Sequence, residues 1–420
     1  MENKDIYIST RYLNILEAAF EYFISIIVSG AYLAKITSSL EISDSLTGII
    51  SSFISLGCGF QIIAIFLTNK RPVKRWVTFI AFMTDICFAM LYFIPFINIS
   101  KTARTLLFVS FMLIGHSISR ISSAPKSHWF MSLVDDNKRG SFTASKEMFS
   151  LIGGMIFTFA MGAIIDKYEA AGNREGAFIT CGISIFVLMI LRSTCLLLSK
   201  EKPVEDSEKK SIGHLITQLI TDKNLIKVIG ITVLWNIVNY ASTPFYGSYQ
   251  IKELGFTMTF ISVLSAAYAI IRTLVSKPIG RFADKHSFSS MLNICFVIML
   301  AGFIINIFTV PENGKIFFTA YYILSAIAMA GINGSTINLI FDYVEEEKRV
   351  GAIALQGTLS GLAGFFTTLA VTPIVTRIQA NGNTIFGINV YAQQVVSAIS
   401  TVLLIFLIIY LNLVVRRVKR

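Results

Sequence analysis

Apolar residues in this chain come in blocks of about 20, separated by short polar turns, and this spacing restricts the fold more than any other feature. A helix rises about 1.5 Å per residue, so each block matches the ~30 Å hydrocarbon core of a bilayer. In that core every backbone N–H and C=O must be paired within the protein, which leaves helices or a closed barrel. Barrel strands would alternate over segments of about 10 residues, and the apolar blocks here do not alternate. Only 15% of the 420 residues are charged and 54% are hydrophobic, against roughly 25% charged in soluble domains. The sequence therefore predicts an all-α, multi-pass membrane protein.

Twelve transmembrane helices are predicted, near residues 12–34, 46–68, 76–97, 105–129, 141–165, 177–199, 226–250, 257–279, 288–310, 316–341, 351–375 and 389–415. The first holds Glu17 and Glu21, which a cleaved signal segment would not carry, so it is expected to remain as a helix. With the N-terminus in the cytoplasm, the inner segments carry 21 Lys and Arg against 8 in the outer ones. The positive-inside bias then places both termini in the cytoplasm, in the cell membrane.

The net charge of +11 is spread over these short loops, which argues against a nucleic-acid partner. Cys58, Cys87, Cys181, Cys195 and Cys295 all lie in apolar runs with no metal or disulfide spacing, and neither metal nor cofactor is expected. The short loops hold no catalytic cluster, so the chain is not expected to be an enzyme. No phosphate-binding Gly-x-x-x-x-Gly-Lys-Ser/Thr occurs either.

The charged segment that opens at Lys200 divides the spans six and six: residues 1–199, a linker at 200–225, and 226–420. In the linker, residues 212–220 have helical apolar spacing and are expected to lie on the membrane surface. An internal repeat supports the division. Val134-Asp-Asp-Asn-Lys-Arg139 recurs as Val344-Glu-Glu-Glu-Lys-Arg349 at an offset of 210. At that offset Ala144, Ser150, Gly154, Thr158 and Ala160 match Ala354, Ser360, Gly364, Thr368 and Ala370. Two pseudo-symmetric six-helix bundles around a central site are a transporter architecture.

The stretch 277–285, Lys-Pro-Ile-Gly-Arg-Phe-Ala-Asp-Lys, reads as a tight basic turn between spans eight and nine. Its Gly280-Arg-Phe-Ala-Asp284-Lys285 resembles the loop signature Gly-x-x-x-Asp-Arg/Lys-x-Gly-Arg/Lys-Arg/Lys of the major facilitator superfamily. Ser287, Phe288 and Ser289 depart from that pattern. The copy after span two departs further, with Ile65 and Asn69 in the glycine and aspartate positions. The resemblance implies a twelve-helix, alternating-access fold. Gly280 would allow close helix approach, and Asp284 would meet the N-terminus of span five beside Arg139, with Arg349 as its counterpart in the repeat.

Charges within spans are costly and mark function by default. Glu17 and Glu21 share one face of span one, and His116 and Arg120 one face of span four. Counted from the inner span ends, Glu21, Arg120 and Asp85 lie level. An acid on the first helix facing an arginine on the fourth resembles the proton-coupling pair of sugar-transporting superfamily members. Glu21 and Arg120, with Glu17, Asp85 and His116, are thus the proton-coupling candidates, and the pair reads either as a proton switch or as a structural ion pair. Arg192 is close enough to its span end to snorkel to the surface.

Span seven carries Trp235, Asn236, Asn239, Tyr240 and Tyr246, and span ten Tyr322 and Asn333, on polar stripes. In the superfamily helices one, four, seven and ten line the substrate cavity. The stripes read either as that lining or as helix–helix glue; as lining, amides and aromatic rings suit sugars or nucleosides. The expectation is a monomeric transporter taking up a small polar solute with a proton or other coupling ion, with efflux of small molecules as the alternative.

Overall fold

The computed structural model describes residues 6–63, 72–135, 139–202, 219–343, 349–385 and 387–417. Nearly all of it is helix. The first predicted span is two helices, α1 (Ile8–Ile27) and α2 (Gly30–Ser39), bent by 44°. Gly30 takes a φ of +54°, a left-handed conformation that glycine adopts without a Cβ penalty. The second span is likewise divided into α3 (Asp44–Ser51) and α4 (Phe53–Gly59).

The rest follow in order: α5 (Lys74–Leu91), α6 (Lys101–Met131), α7 (Arg139–Ala170), α8 (Arg174–Leu198), α9 (Lys223–Ser248), α10 (Met258–Lys285), α11 (Phe288–Ile307), α12 (Gly314–Tyr343), α13 (Arg349–Ala380) and α14 (Ala392–Leu413). A π-turn, Tyr249–Glu253, extends α9. A small hairpin, β1 (Thr384–Ile385) with β2 (Ile388–Asn389), precedes α14, pairing Thr384 with Asn389. Among the described residues ten helical stretches are long and apolar enough to cross a membrane, with α3 and α4 counted together as Asp44–Ile63, and the bent α1–α2 pair makes eleven. α5 takes the place of the remaining predicted span, with Lys74, Arg75 and Asp85 within its 18 residues.

Side-chain caps start several of these helices, because their first N–H groups have no partner within the helix. Asn173 caps α8 through Gly176 N–H (2.9 Å), and Asp222 caps α9 through Asn224 and Leu225 N–H (2.9 and 3.1 Å). The Glu201 carboxylate accepts from Val73 and Lys74 N–H (2.7 and 3.2 Å), an anion at the positive end of α5.

The basic stretch 277–285 is a correction to the sequence reading. It is not a turn: α10 runs through it to Lys285, and Ser287 already caps α11. Lysine and arginine are good helix formers, and one glycine does not end a helix that is otherwise favourable.

Contacts divide the chain into two compact units. Unit 1 comprises Met1–Ile42, Phe60–Lys210 and Thr257–Ser262. Within it α1 packs on α7 and α8, and α5 on α6 and α8. Val77, Ala81, Trp129, Phe130, Leu133 and Leu196 form an apolar cluster, with Trp129 stacked on Phe130 at 4.4 Å. Asp166 of α7 accepts from the N–H groups of Met258 and Thr259 (3.0 and 2.7 Å), capping the first turn of α10.

Unit 2 comprises Ser43–Gly59, Ser211–Phe256 and Val263–Arg420. Here α9 packs on α13 and α14, α11 on α12 and α14, and α3 and α4 on α13. The sequence division at the linker puts residues 43–59 in the first half, whereas their contacts group them with unit 2. Helices α4 and α13 approach closely at Gly361, where an added Cβ would lie 2.4 Å from Ser55 O. Ser55 Oγ donates to Gly361 O at 2.9 Å.

The internal repeat is visible in matching detail. Thr158 Oγ1 donates to Gly154 O (2.6 Å) in unit 1, and Thr368 Oγ1 to Gly364 O (3.3 Å) in unit 2. Each glycine lies against a tyrosine ring, Tyr22 and Tyr240 respectively. Residues 212–218 of the expected surface helix lie outside the described residues.

Candidate functional site

The buried stripe of α1 is polar where an ordinary packed helix is apolar. Thr10, Asn14 and Glu17 repeat at helical spacing, and all three are buried. Asp85 occupies the equivalent buried stripe of α5, and Arg192 that of α8. Lys126 enters from α6, one residue after Pro125. Four helices of unit 1 thus direct five charged side chains to one place.

Arg192 holds three of them with one guanidinium. Its Nε donates to Glu17 Oε1 at 3.0 Å and its Nη1 to Asp85 Oδ1 at 2.8 Å, while Nη2 lies 2.8 Å from Glu21 Oε1. A planar fork with five fixed donors suits this task in a way that a lysine ammonium does not. Lys126 Nζ bridges the two glutamates, 2.9 Å from Glu17 Oε1 and in a short contact with Glu21 Oε2. Glu17 and Asp85 are each 1% exposed and Arg192 4%.

Three carboxylates face two cations, so the ionised cluster carries one net negative charge. One carboxylate oxygen, Asp85 Oδ2, is buried without a hydrogen-bond partner. Beside the cluster, Thr84 Oγ1 and Asn14 Oδ1 are buried and unpartnered too. Leaving a buried polar atom unsatisfied costs about 1–3 kcal/mol. What this arrangement offers chemically is a place for one proton: protonation at Asp85 would neutralise the ionised cluster.

The arrangement corrects two expectations. Glu21 was expected to face Arg120, but its cations are Lys126 and Arg192, and Arg120 makes no ion pair among the described residues. At about 100° per residue, Arg120 and Lys126 point roughly 120° apart around α6. Depth along the span brought Arg120 level with Glu21, but direction around the helix did not. Arg192 does not snorkel either; it is the centre of the cluster. Lys126 was absent from the sequence candidates, although it lies inside the predicted span 105–129 rather than on its basic flank. His116 packs against Phe88, ring centroids 5.0 Å apart, with its Nε2 unpartnered.

The polar residues of α9 and α12 have mixed surroundings within unit 2. Trp235 is buried and stacks on Phe296 at 5.7 Å. Tyr246 is buried, its hydroxyl 3.0 Å from Ser397 Oγ, with its ring edge-on to Tyr321. Both are packed within the unit, as helix–helix contacts. Asn236, Asn239 and Tyr240 are half-buried, and Asn239 Oδ1 accepts from Thr243 Oγ1 (3.0 Å). Tyr322 is half-buried, its hydroxyl accepting from Gln250 Nε2 (2.9 Å), and Asn333 is exposed.

For the gating motif, Gly280 is exposed, and among the described residues nothing lies within 4 Å of an added Cβ. Lys285 is exposed at the end of α10. Arg139 and Arg349 begin α7 and α13. The side chains of Asp284, Arg139 and Arg349 lie outside the described residues. Also among the described residues, no group of three or more His, Cys, Asp or Glu side chains could hold a metal ion.

No curated protein sequence matches the chain. Its fold is similar to several solved structures. The nucleoside transporter NupG superposes with a TM-score of 0.68 at 14% identity, over 98% of this chain and 99% of that one. A D-xylose-proton symporter gives 0.71 at 14% identity, covering 96% and 97%. A bacterial homologue of the human lysosomal transporter Spinster, inward-facing and unoccupied, gives 0.68 at 14% identity, covering 99% and 98%. The sequence model of the major facilitator superfamily matches residues 15–368. With that match over most of its length, and with the fold to go with it, the chain belongs to the major facilitator superfamily.

Proposed function

We propose that this protein is a secondary active transporter that takes up a small polar solute with a proton by alternating access, acting as a monomer in the cell membrane with both termini in the cytoplasm. The observation that carries the reading is the buried cluster of Glu17, Glu21, Asp85, Lys126 and Arg192, with its single excess negative charge and the bare Asp85 Oδ2. An intramembrane cluster that is one charge short of neutral has a use for a cation from outside, and the proton is the one that a lone carboxylate oxygen accepts. The similarity in fold to a D-xylose-proton symporter is in keeping with this reading. Asn236, Asn239, Tyr240 and Tyr322 supply the amide and aromatic groups for a sugar- or nucleoside-like solute. The functional halves are residues 1–199 and 226–420, joined by the linker.

The test is transport in proteoliposomes under an imposed pH gradient, with the solute taken from a thermal-shift screen of sugars, nucleosides, organic acids and drugs. Asp85→Asn is expected to abolish accumulation driven by the gradient while solute exchange continues. Undiminished accumulation in that variant would sink the coupling assignment.

A further inference from the structure

Unit 2 contains a cavity of about 20 Å³, room for one water-sized guest. It lies where α9 opens into the π-turn. That turn closes through Leu254 N–H to Tyr249 O at 2.9 Å, five residues back. Single π-turns are uncommon and gather at functional sites.

Two polar residues on the cavity wall are 3% exposed and each has an oxygen without a partner: Ser248 Oγ and Gln393 Oε1. Gln393 uses its Nε2 on Asn306 O (3.4 Å), which leaves the amide oxygen free. The two acids on the wall differ. Asp44 is satisfied, with Lys252 Nζ on Oδ1 (2.5 Å) and Gln379 Nε2 on Oδ2 (2.8 Å). Glu253 accepts only a long bond from Asn383 Nδ2 (3.3 Å) and has no ion pair among the described residues. With Lys252 neutralising Asp44, one negative charge remains, on Glu253. Its field reaches Tyr391 at the cavity wall. Burial first, then the charges of Glu253 and Glu312, push that phenol up from its ordinary value.

One uncompensated carboxylate, one amide oxygen and one hydroxyl are a hard, all-oxygen donor set with a net charge of minus one. Transition metals prefer nitrogen or sulfur ligands, and calcium takes six to eight oxygens. A single positive charge balances this wall. A carboxylate of high field strength and a space for one small guest favour the smaller alkali cation over potassium. We infer that the cavity is a sodium-ion site, held by Glu253, Gln393 Oε1 and Ser248 Oγ. It uses no residue of the charge cluster in unit 1 and stands or falls separately from the proton reading.

The measurement is the thermal midpoint of the full chain, purified in detergent, at one ionic strength in sodium, potassium or N-methyl-D-glucamine chloride. A ligand that binds only the folded state raises the midpoint with concentration. Sodium is expected to give a saturable rise that neither other cation gives. Glu253→Gln and Gln393→Leu are expected to lose it. Ser248→Ala, which deletes one oxygen and nothing else, is expected to shift the sodium concentration of half-effect upward by about tenfold. Equal midpoints of the unmodified chain in all three salts overturn the site. So does a sodium response that survives Glu253→Gln and Gln393→Leu. Should those two variants fail to fold, Ser248→Ala decides alone, and an unchanged half-effect concentration there overturns the assignment.

Discussion

Arg192 reaches Glu17, Glu21 and Asp85 with one guanidinium, so substitutions there separate charge from geometry. Arg192→Leu leaves Asp85 without a cation, and Glu17 and Glu21 with Lys126 alone, and is expected to destabilise by about 3–5 kcal/mol, the usual effect of breaking a buried ion pair from one side. Arg192→Lys keeps the charge but loses the fork, and its thermal midpoint is expected between the two. Arg120→Gln is the contrast: with no ion pair to lose, it is expected to change stability by about 1 kcal/mol or less. A chemical-denaturation or thermal series on the three variants checks the order. The acids of this cluster were legible in the sequence, because a charge inside an apolar run stands out. Their partners were only half legible. Counting from span ends gives depth, but which face a residue presents depends on where each helix begins and how its neighbours lie around it. Lys126 was therefore missed and Arg120 read as a partner.

At the scale of elements, two glycines are required for different reasons, and the same substitution tests both. Gly30 has open space where a Cβ would go, but its φ is +54°. Gly30→Ala is expected to cost about 1–2 kcal/mol through backbone strain alone. Gly361 is helical, yet its Cβ would meet Ser55 O at 2.4 Å and Cys58 Cβ at 2.6 Å. Gly361→Ala is expected to cost about 1–3 kcal/mol by forcing α4 from α13. Ser55→Ala, which removes the bond to Gly361 O but frees no space, is not expected to rescue it. Thermal unfolding of the single and double variants distinguishes strain from crowding. The positions of the long helices were legible from apolar block length. Their breaks were not: Ser29-Gly30 inside a span looks like any small pair, and only the left-handed φ makes it a joint. The reverse happened at 277–285, where proline, glycine and charge together looked like a turn, yet the backbone stays helical to Lys285.

For the molecule as a whole, the sequence carried the most information. The duplication could be read from a six-residue acidic-basic loop at half-chain offset, and it reappears as the same threonine-to-carbonyl bond within α7 and within α13. The bias of basic residues supplies a further prediction, in the orientation. In a variant without native cysteines, Lys315→Cys at the start of α12 is expected to react with a membrane-impermeant maleimide in intact cells. Lys285→Cys at the end of α10 is expected to react only after permeabilisation; both positions are exposed. The reverse pattern would invert the topology. The joint between α1 and α2 has a mechanical consequence as well. Glu21 lies nine residues from Gly30, about 14 Å along a helix. Pivoting there, α1 is a lever: a tilt of about 10° carries Glu21 roughly 2 Å, enough to part a carboxylate from its cation. Read in the other direction, under the proposed coupling a proton gained or lost at Asp85, which shares Arg192 with both acids on that lever, would be converted into an angle.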